Sequence, residues 1–77
     1  MKLVLVEWVD SKRLSEGWVY TEDIEPSLVK CQSAGWVLKE NKECIVIMPH
    51  MDIKESQGCG IISIPKCAIK HISQLKK

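Results

Sequence analysis

The sequence predicts a small all-β protein, a five-stranded antiparallel barrel with at most one short helical turn. Three observations lead to this prediction. No apolar period of 3.6 residues continues over ten or more positions, which argues against long helices. Five separate runs are rich in β-branched or other large apolar residues, as strands are. Turn residues separate these runs, and Pro65 marks a corner between the last two.

The corner lies within Gly60–Leu75, the stretch GIISIPKCAIKHISQL. Its first residues include an apolar run typical of a buried strand, made of Ile61, Ile62 and Ile64. Pro65 ends the ladder because it has no backbone N–H to donate. Lys66–Ile69 is then expected to be a one-turn connector, and Lys70–Leu75 the last strand. A strand, a Pro-marked corner and a second strand indicate a barrel of the SH3-like or Sm-like kind.

Three earlier segments supply the remaining strands. Lys2–Asp10 has apolar residues on both of its alternating faces, so we expect a central or doubly covered strand. Leu28–Lys39 is the second strand, and Gly35 within it suggests a bulge or a sharp bend. The polar turn Glu40–Glu43 leads from it into Cys44–Met48, which reads as a buried β-branched strand.

The longest segment without a strand pattern is Leu14–Ser27, and long loops often carry function. Within it, Thr21–Glu25 is expected to form a capped helical turn, because the Thr21 hydroxyl can accept a hydrogen bond from a backbone N–H of that turn. Pro26 keeps the turn short. Asp52–Gly60 is expected to be a polar loop.

The length of 77 residues predicts one domain, with a core that is marginal without a partner or a staple. Cysteine is the first candidate for a staple, but no CxxC pair occurs and no export signal or membrane span is recognisable. We therefore expect a cytoplasmic protein with free thiols and no cofactor. Zinc held by cysteines together with His50 and His71 is an alternative, which the irregular spacing disfavours. The four cysteines are Cys31, Cys44, Cys59 and Cys67.

Charge is unevenly distributed along the chain. The formal net charge of +1 argues against a strongly basic nucleic-acid-binding protein. Leu14–Glu25 contains four acidic residues and no basic one, whereas Lys66–Lys77 contains four lysines and no acid. These segments could be ordinary solvated faces. They could also be complementary surfaces of neighbouring subunits, or the basic one could face an anionic ligand. Because the core is small, we expect a homo-oligomer.

No motif demands catalysis. The sequence has no glycine-rich phosphate loop, no HExxH and no nucleophile-elbow pattern. We therefore predict no catalytic residue and a protein that is not an enzyme. A Cys59–His50 pair is the alternative for nucleophilic catalysis, if the fold brings the two residues together.

The aromatic residues are a better guide to function. Trp8 and Trp36 lie within apolar strands and are expected to pack in the core. Trp18 and Tyr20 precede the acidic segment, and an exposed ring there could stack on a base; simple packing is the alternative for Trp18. Nearby cations, and those of the corner turn, could contact phosphates. The candidate ligand-binding residues are Trp18, Tyr20, Lys12, Arg13, Lys66 and Lys70.

Four motifs form a pattern that covers nearly the whole chain. They are VEWVDS at Val6–Ser11, GW at Gly17-Trp18, SAGWVLKE at Ser33–Glu40 and IPKCAIKHI at Ile64–Ile72. The chain resembles, in this pattern, a family of small uncharacterised proteins encoded by bacteriophages and by elements integrated in bacterial genomes. The turn Lys66–Ile69 also resembles the last turn of Sm-like RNA chaperones.

The resemblance implies a phage or mobile-element source and a small β-barrel, and it implies no known catalytic residue. By analogy with small phage proteins, we expect a non-enzymatic accessory protein, an oligomeric barrel that binds and sequesters a host ligand and so counters a host defence. A nucleotide signal or a short nucleic acid is the first candidate ligand. The alternative is an interaction module that docks on a host protein through a strand edge or the acidic loop. No membrane association is expected.

Overall fold

An antiparallel five-stranded sheet and a separate two-stranded hairpin make up the fold. The structure, a computed structural model, describes residues 1–76. Each of its two helical segments is a single 3-10 turn, Thr21–Asp23 and Lys66–Ala68. The strands are β1 (Leu3–Asp10), β2 (Val29–Glu40), β3 (Cys44–Met48), β4 (His50–Asp52), β5 (Gln57–Cys59), β6 (Ile62–Pro65) and β7 (Ile69–Gln74).

The main sheet has the order β6-β3-β2-β1-β7, and β4 pairs only with β5. Strand β2 connects the two halves of the sheet, because it is twelve residues long and has two successive partners. Its first part, from Val29 to Trp36, pairs with β1, and its last part, from Trp36 to Glu40, pairs with β3. The prediction of five antiparallel strands in one sheet is therefore confirmed, as is the near absence of helix.

The prediction of a closed barrel was wrong, because the sheet is open. Strands β6 and β7 form its two edges and do not pair with each other. The one-turn corner between them is present at Lys66–Ala68, as predicted. However, β6 is only four residues long, and the N–H of Lys66 donates to the carbonyl oxygen of Glu43 at 2.7 Å. The corner is thereby tied to the turn between β2 and β3, and the ladder does not continue around the sheet.

Two local expectations also need correction. Asp52–Gly60, expected as a polar loop, contains most of the β4–β5 hairpin, in which Ser56 takes a positive φ of 53°. This hairpin lacks the β-branched alternation by which strands are recognised, so the sequence pattern did not indicate it. The turn at Thr21–Asp23 is present, but its N-cap is Tyr20 and no side chain caps it. The N–H of Asp23 instead donates to the backbone oxygen of Tyr20.

The core lies against one face of β1. Alternate residues of this strand, Val4 and Val6, are buried, whereas the neighbouring residues Leu3, Leu5 and Glu7 are half-buried. The second face of β1, which we expected to be covered as well, is therefore only partly covered. Trp8 also packs against the core, and its indole N–H donates to the Ser33 hydroxyl oxygen at 3.0 Å. Each buried aliphatic side chain contributes about 1.5–3 kcal/mol. The buried core cluster is Val4, Val6, Ile45, Ile47 and Ile64.

Gly35 lies where β2 passes from one partner to the other. A Cβ atom at this position would lie 2.9 Å from both the carbonyl carbon and the oxygen of Met48. The register of β2 against β3 shifts just beyond it, between Val37 and Lys39. The absent side chain therefore allows the end of β3 to approach β2 closely, near the place where the sequence predicted a bulge or a sharp bend.

We expect Gly35→Ala to destabilise the fold by about 1–3 kcal/mol, because the backbone of Met48 must move to admit a methyl group. Gly17→Ala is the matched control, since no heavy atom lies within 4 Å of a Cβ built there. Its effect should stay within about 0.5 kcal/mol. Urea unfolding of both variants measures the difference, and equal midpoints would contradict the role assigned to Gly35.

Candidate functional site

Residues 11–28, which we call the arm, connect β1 to β2 and project from the sheet. Every residue of the arm is exposed, and its one regular element is the turn at Thr21–Asp23. The molecule measures 54 × 24 × 22 Å and has a radius of gyration of 16.2 Å. A compact chain of this length would have a radius of about 11–12 Å. The arm therefore lacks the packing that normally covers a segment of its length.

The arm nevertheless carries large apolar side chains. Trp18 is fully exposed and Tyr20 is 78% exposed. Singly scattered exposed apolar residues are normal, whereas six large ones exposed within one segment of eighteen residues are an unusual concentration. The side chains in this group are Leu14, Trp18, Val19, Tyr20, Ile24 and Leu28.

The charge of the arm is predominantly negative. Its four carboxylates outnumber its two cations, Lys12 and Arg13. The Arg13 guanidinium lies 3.7 Å from the carboxylate of Glu16, in an exposed ion pair. Within residues 1–76, the remaining carboxylates of the arm form no ion pair, and they are Glu22, Asp23 and Glu25.

Beside the base of the arm, the outer face of the sheet forms a groove. Two adjoining cavities of about 510 Å³ each share Val9 and Lys30 as lining residues. The first is also lined by Glu7, Trp8, Gln32 and Lys70. The second is also lined by Leu14, Pro26, Ser27 and Leu28. We call these two cavities together the arm-base groove.

Two lysines give the arm-base groove its positive charge. In the described part of the chain, neither Lys30 nor Lys70 forms an ion pair. The one carboxylate in the groove, Glu7, accepts a hydrogen bond from the side-chain amide of Gln32 at 3.1 Å. The groove thus combines an apolar floor with cations whose charge is available to an anionic group.

The structure divides the predicted site residues among three places. Trp18, Tyr20, Lys12 and Arg13 lie on the arm, and Lys70 lines the groove. Lys66 lies at the corner turn, where its ammonium group contacts a carboxylate oxygen of Glu40 at 2.7 Å. This hydrogen bond, and then the charge of Lys66, lower the pKa of Glu40. Lys66 therefore already has an anionic partner, unlike Lys70.

Sequence reasoning missed the part of the groove contributed by β1 and β2. The register places Val9 opposite Lys30 and Glu7 opposite Gln32, which brings these four side chains onto one face. Strand alternation could have indicated the face, but only the register shows which residues are neighbours.

A second apolar groove, of about 600 Å³, lies between β2 and the β4–β5 hairpin. Its lining includes three methionines and three other large apolar side chains, Met1, Met48, Met51, Leu38, Ile53 and Ile61. On the hairpin itself, His50 pairs opposite Cys59, so the two members of the alternative nucleophilic pair are neighbours. Among residues 1–76, no three His, Cys, Asp or Glu side chains are grouped so that they could hold a metal ion.

Comparisons of the chain with protein-family models, curated proteins and solved structures give no match. No helix among the described residues is both long enough and apolar enough to cross a membrane.

The Glu40–Lys66 pair predicts a specific dependence of stability on pH. Because the pKa of Glu40 is lowered from its ordinary value of 4.5, its ionised form stabilises the fold above that pH. This stabilisation is lost as the pH falls through the lowered pKa. We therefore expect Glu40→Gln to decrease the urea midpoint at pH 7, by an amount that diminishes below pH 4.5.

Glu16→Gln is the matched control for this measurement, because its ion pair with Arg13 is long and highly exposed. It should leave the midpoint unchanged at pH 7. An effect of Glu40→Gln that is equally large at pH 7 and pH 3 would contradict the assignment to ionisation.

The four cysteines are all free; Cys59 and Cys67 are exposed, whereas Cys31 and Cys44 are half-buried. We expect a thiol reagent to label four groups in denaturant without reductant. In the native protein, two should react first, since access limits the reaction. Cys59→Ser and Cys67→Ser should each remove one of the two rapid reactions. Fewer than four labelled groups in denaturant would indicate a disulfide or another modification.

Proposed function

We propose that this protein is a non-enzymatic interaction module that docks on another protein through the arm. The observation that carries the proposal is the complete exposure of Trp18, together with the 78% exposure of Tyr20 on the same projecting segment. Aromatic side chains are the commonest anchors of protein interfaces, because each buries a large area with few rotatable bonds. An arm without packing of its own can present such anchors to a partner.

The charge of the arm favours a protein as the partner. The carboxylates of the arm would repel a phosphate chain, and Lys12 and Arg13 are too few to reverse this sign. A protein surface that offers lysine or arginine beside apolar residues would complement both the carboxylates and the aromatic rings.

A nucleotide signal or a short nucleic acid is the second candidate ligand, which the protein would sequester. Two observations favour it. The rings of Trp18 and Tyr20 are free to stack on bases, and the side chains of Lys30 and Lys70 line one cavity. In this case the ligand would extend from the arm into the groove.

The resemblance to small phage-encoded proteins supports a phage or integrated-element source, with the module acting inside a bacterial host. An SH3-like arrangement is the finer description of fold that we propose. It is supported by the 3-10 turn between the last two strands of the main sheet and by β2, which pairs first with β1 and then with β3.

Photo-crosslinking tests the docking function directly. A photoreactive amino acid in place of Trp18 should give adducts in bacterial cells that a protease destroys and a nuclease does not. The same amino acid in place of Ile53, which is 82% exposed on the turn of the hairpin, is the matched control. Adducts that are no more abundant from position 18 than from position 53 would contradict the proposal.

A thermal-shift panel of cyclic dinucleotides and oligonucleotides tests the second candidate. A ligand at one hundred times its Kd stabilises the folded state by about 2.7 kcal/mol, which raises the Tm of a small domain by several degrees. The nucleotide proposal requires such a rise, and requires that Trp18→Ser abolish it.

A further inference from the structure

We propose that the partner of the arm is a second copy of this chain. In the resulting dimer, the arm of each copy lies in the arm-base groove of the other, and a two-fold axis relates the two contacts. This inference rests on the proposed docking function of the arm, and it names the partner.

Complementary charge is the first argument. The far part of the arm carries Glu22, Asp23 and Glu25, which have no ion-pair partner within residues 1–76. The groove carries Lys30 and Lys70, which also lack one there. One chain therefore presents an anionic segment and a cationic groove. When two copies associate, the anionic segment of each can pair with the cationic groove of the other.

Apolar surface is the second argument. The arm exposes Trp18, Val19, Tyr20 and Ile24, and the groove has an apolar floor that includes Val9 and Leu28. The two aromatic residues alone bury about 150–250 Å² each when covered. Since each copy contributes one arm and one groove, both surfaces count toward the roughly 800 Å² per partner that a stable interface buries.

The arm reaches the groove of a neighbour more readily than its own. Leu14, Pro26 and Leu28, at the base of the arm, line one cavity of its own groove, whereas residues 15–25 line neither cavity. Every hydrogen bond and ion pair of residues 12–25 found in the described chain lies within the arm itself. As a two-limbed loop of eighteen residues, the arm spans at most about 30 Å. This length covers the molecule's shorter dimensions of 24 and 22 Å.

Symmetry then limits the assembly to two copies. The arm and its own groove are adjacent on the chain, so one two-fold axis can satisfy both contacts at once. Such an isologous contact closes on itself and leaves neither an arm nor a groove free for a third copy.

A charge-reversal experiment with two variants tests the dimer. The arm variant carries Glu22→Lys, Asp23→Lys and Glu25→Lys, and the groove variant carries Lys30→Glu and Lys70→Glu. Each variant alone has an arm and a groove of the same sign and should be a monomer of about 8.8 kDa, whereas the wild type should have twice this mass. A mixture of the two should regain the dimer mass, because both contacts of the heterodimer pair opposite charges.

Light scattering and sedimentation at micromolar concentration measure these masses, and circular dichroism verifies that each variant is folded. Trp18→Ser with Tyr20→Ser is a further variant that should be monomeric; both side chains are exposed, so the fold does not depend on them. It keeps the test valid if a charge variant does not fold. The hairpin variant Ile53→Ser should remain a dimer.

The outcomes separate this inference from the proposed function. A wild-type mass of 8.8 kDa would overturn the inference that the partner of the arm is a second copy. Protein adducts from position 18 would in that case still support docking on another protein. A wild-type dimer that survives both the arm and the groove variants overturns the inference and shows a different interface. Two monomeric variants that do not associate when mixed overturn the pairing of arm with groove.

Discussion

The close approach of the Met48 backbone to Gly35 is the constraint on which the rest of the structure depends. Strand β2 must pair with β1 along its first part and with β3 along its last part, so its two halves face different neighbours. Any side chain at Gly35 would meet the backbone of Met48 at 2.9 Å. Both β1 and β3 pair with β2, and the side chains of Ile45 and Ile47 form one cluster with those of Val4 and Val6, which is the core.

The same pairing sets the position of the arm and of the groove. The β1–β2 ladder ends at the pair Asp10–Val29, and the arm connects these two residues. The preceding pairs of this ladder include Val9 opposite Lys30, so the groove begins at the base of the arm. The acidic arm and the cationic groove are therefore neighbours because β1 pairs with β2 on one side and with β7 on the other. These pairings also bring together the two lysines of the groove, Lys30 and Lys70, which are forty residues apart in sequence.

Local signals in the sequence predicted the strands of the main sheet and the corner turn, but not the β4–β5 hairpin. Cys44–Met48 has the predicted bounds, and the corner at Lys66–Ala68 follows from the proline before it. Closure of the sheet was predicted wrongly, because it depends on contact between edges that no local pattern encodes. The part of the arm-base groove formed by β1 and β2 was missed for the same reason, since it arises from the register of these strands. Trp18 was recognised as a candidate because it lies outside the apolar strands, whereas Trp8 lies within one and packs on the core.

The acidic residues of the arm explain how a small protein can carry exposed aromatic side chains. An uncharged segment with Trp18, Tyr20 and Ile24 exposed would associate with any apolar surface. Three carboxylates lie close to these residues in sequence, those of Glu22, Asp23 and Glu25. They repel other acidic surfaces, and burying the arm against a surface without cations is costly because the carboxylates lose their hydration. In the proposed docking function, apolar contact thus supplies affinity only where lysine or arginine is also present. The charges of the arm would then act as its specificity element, because a partner surface must offer both an apolar floor and cations.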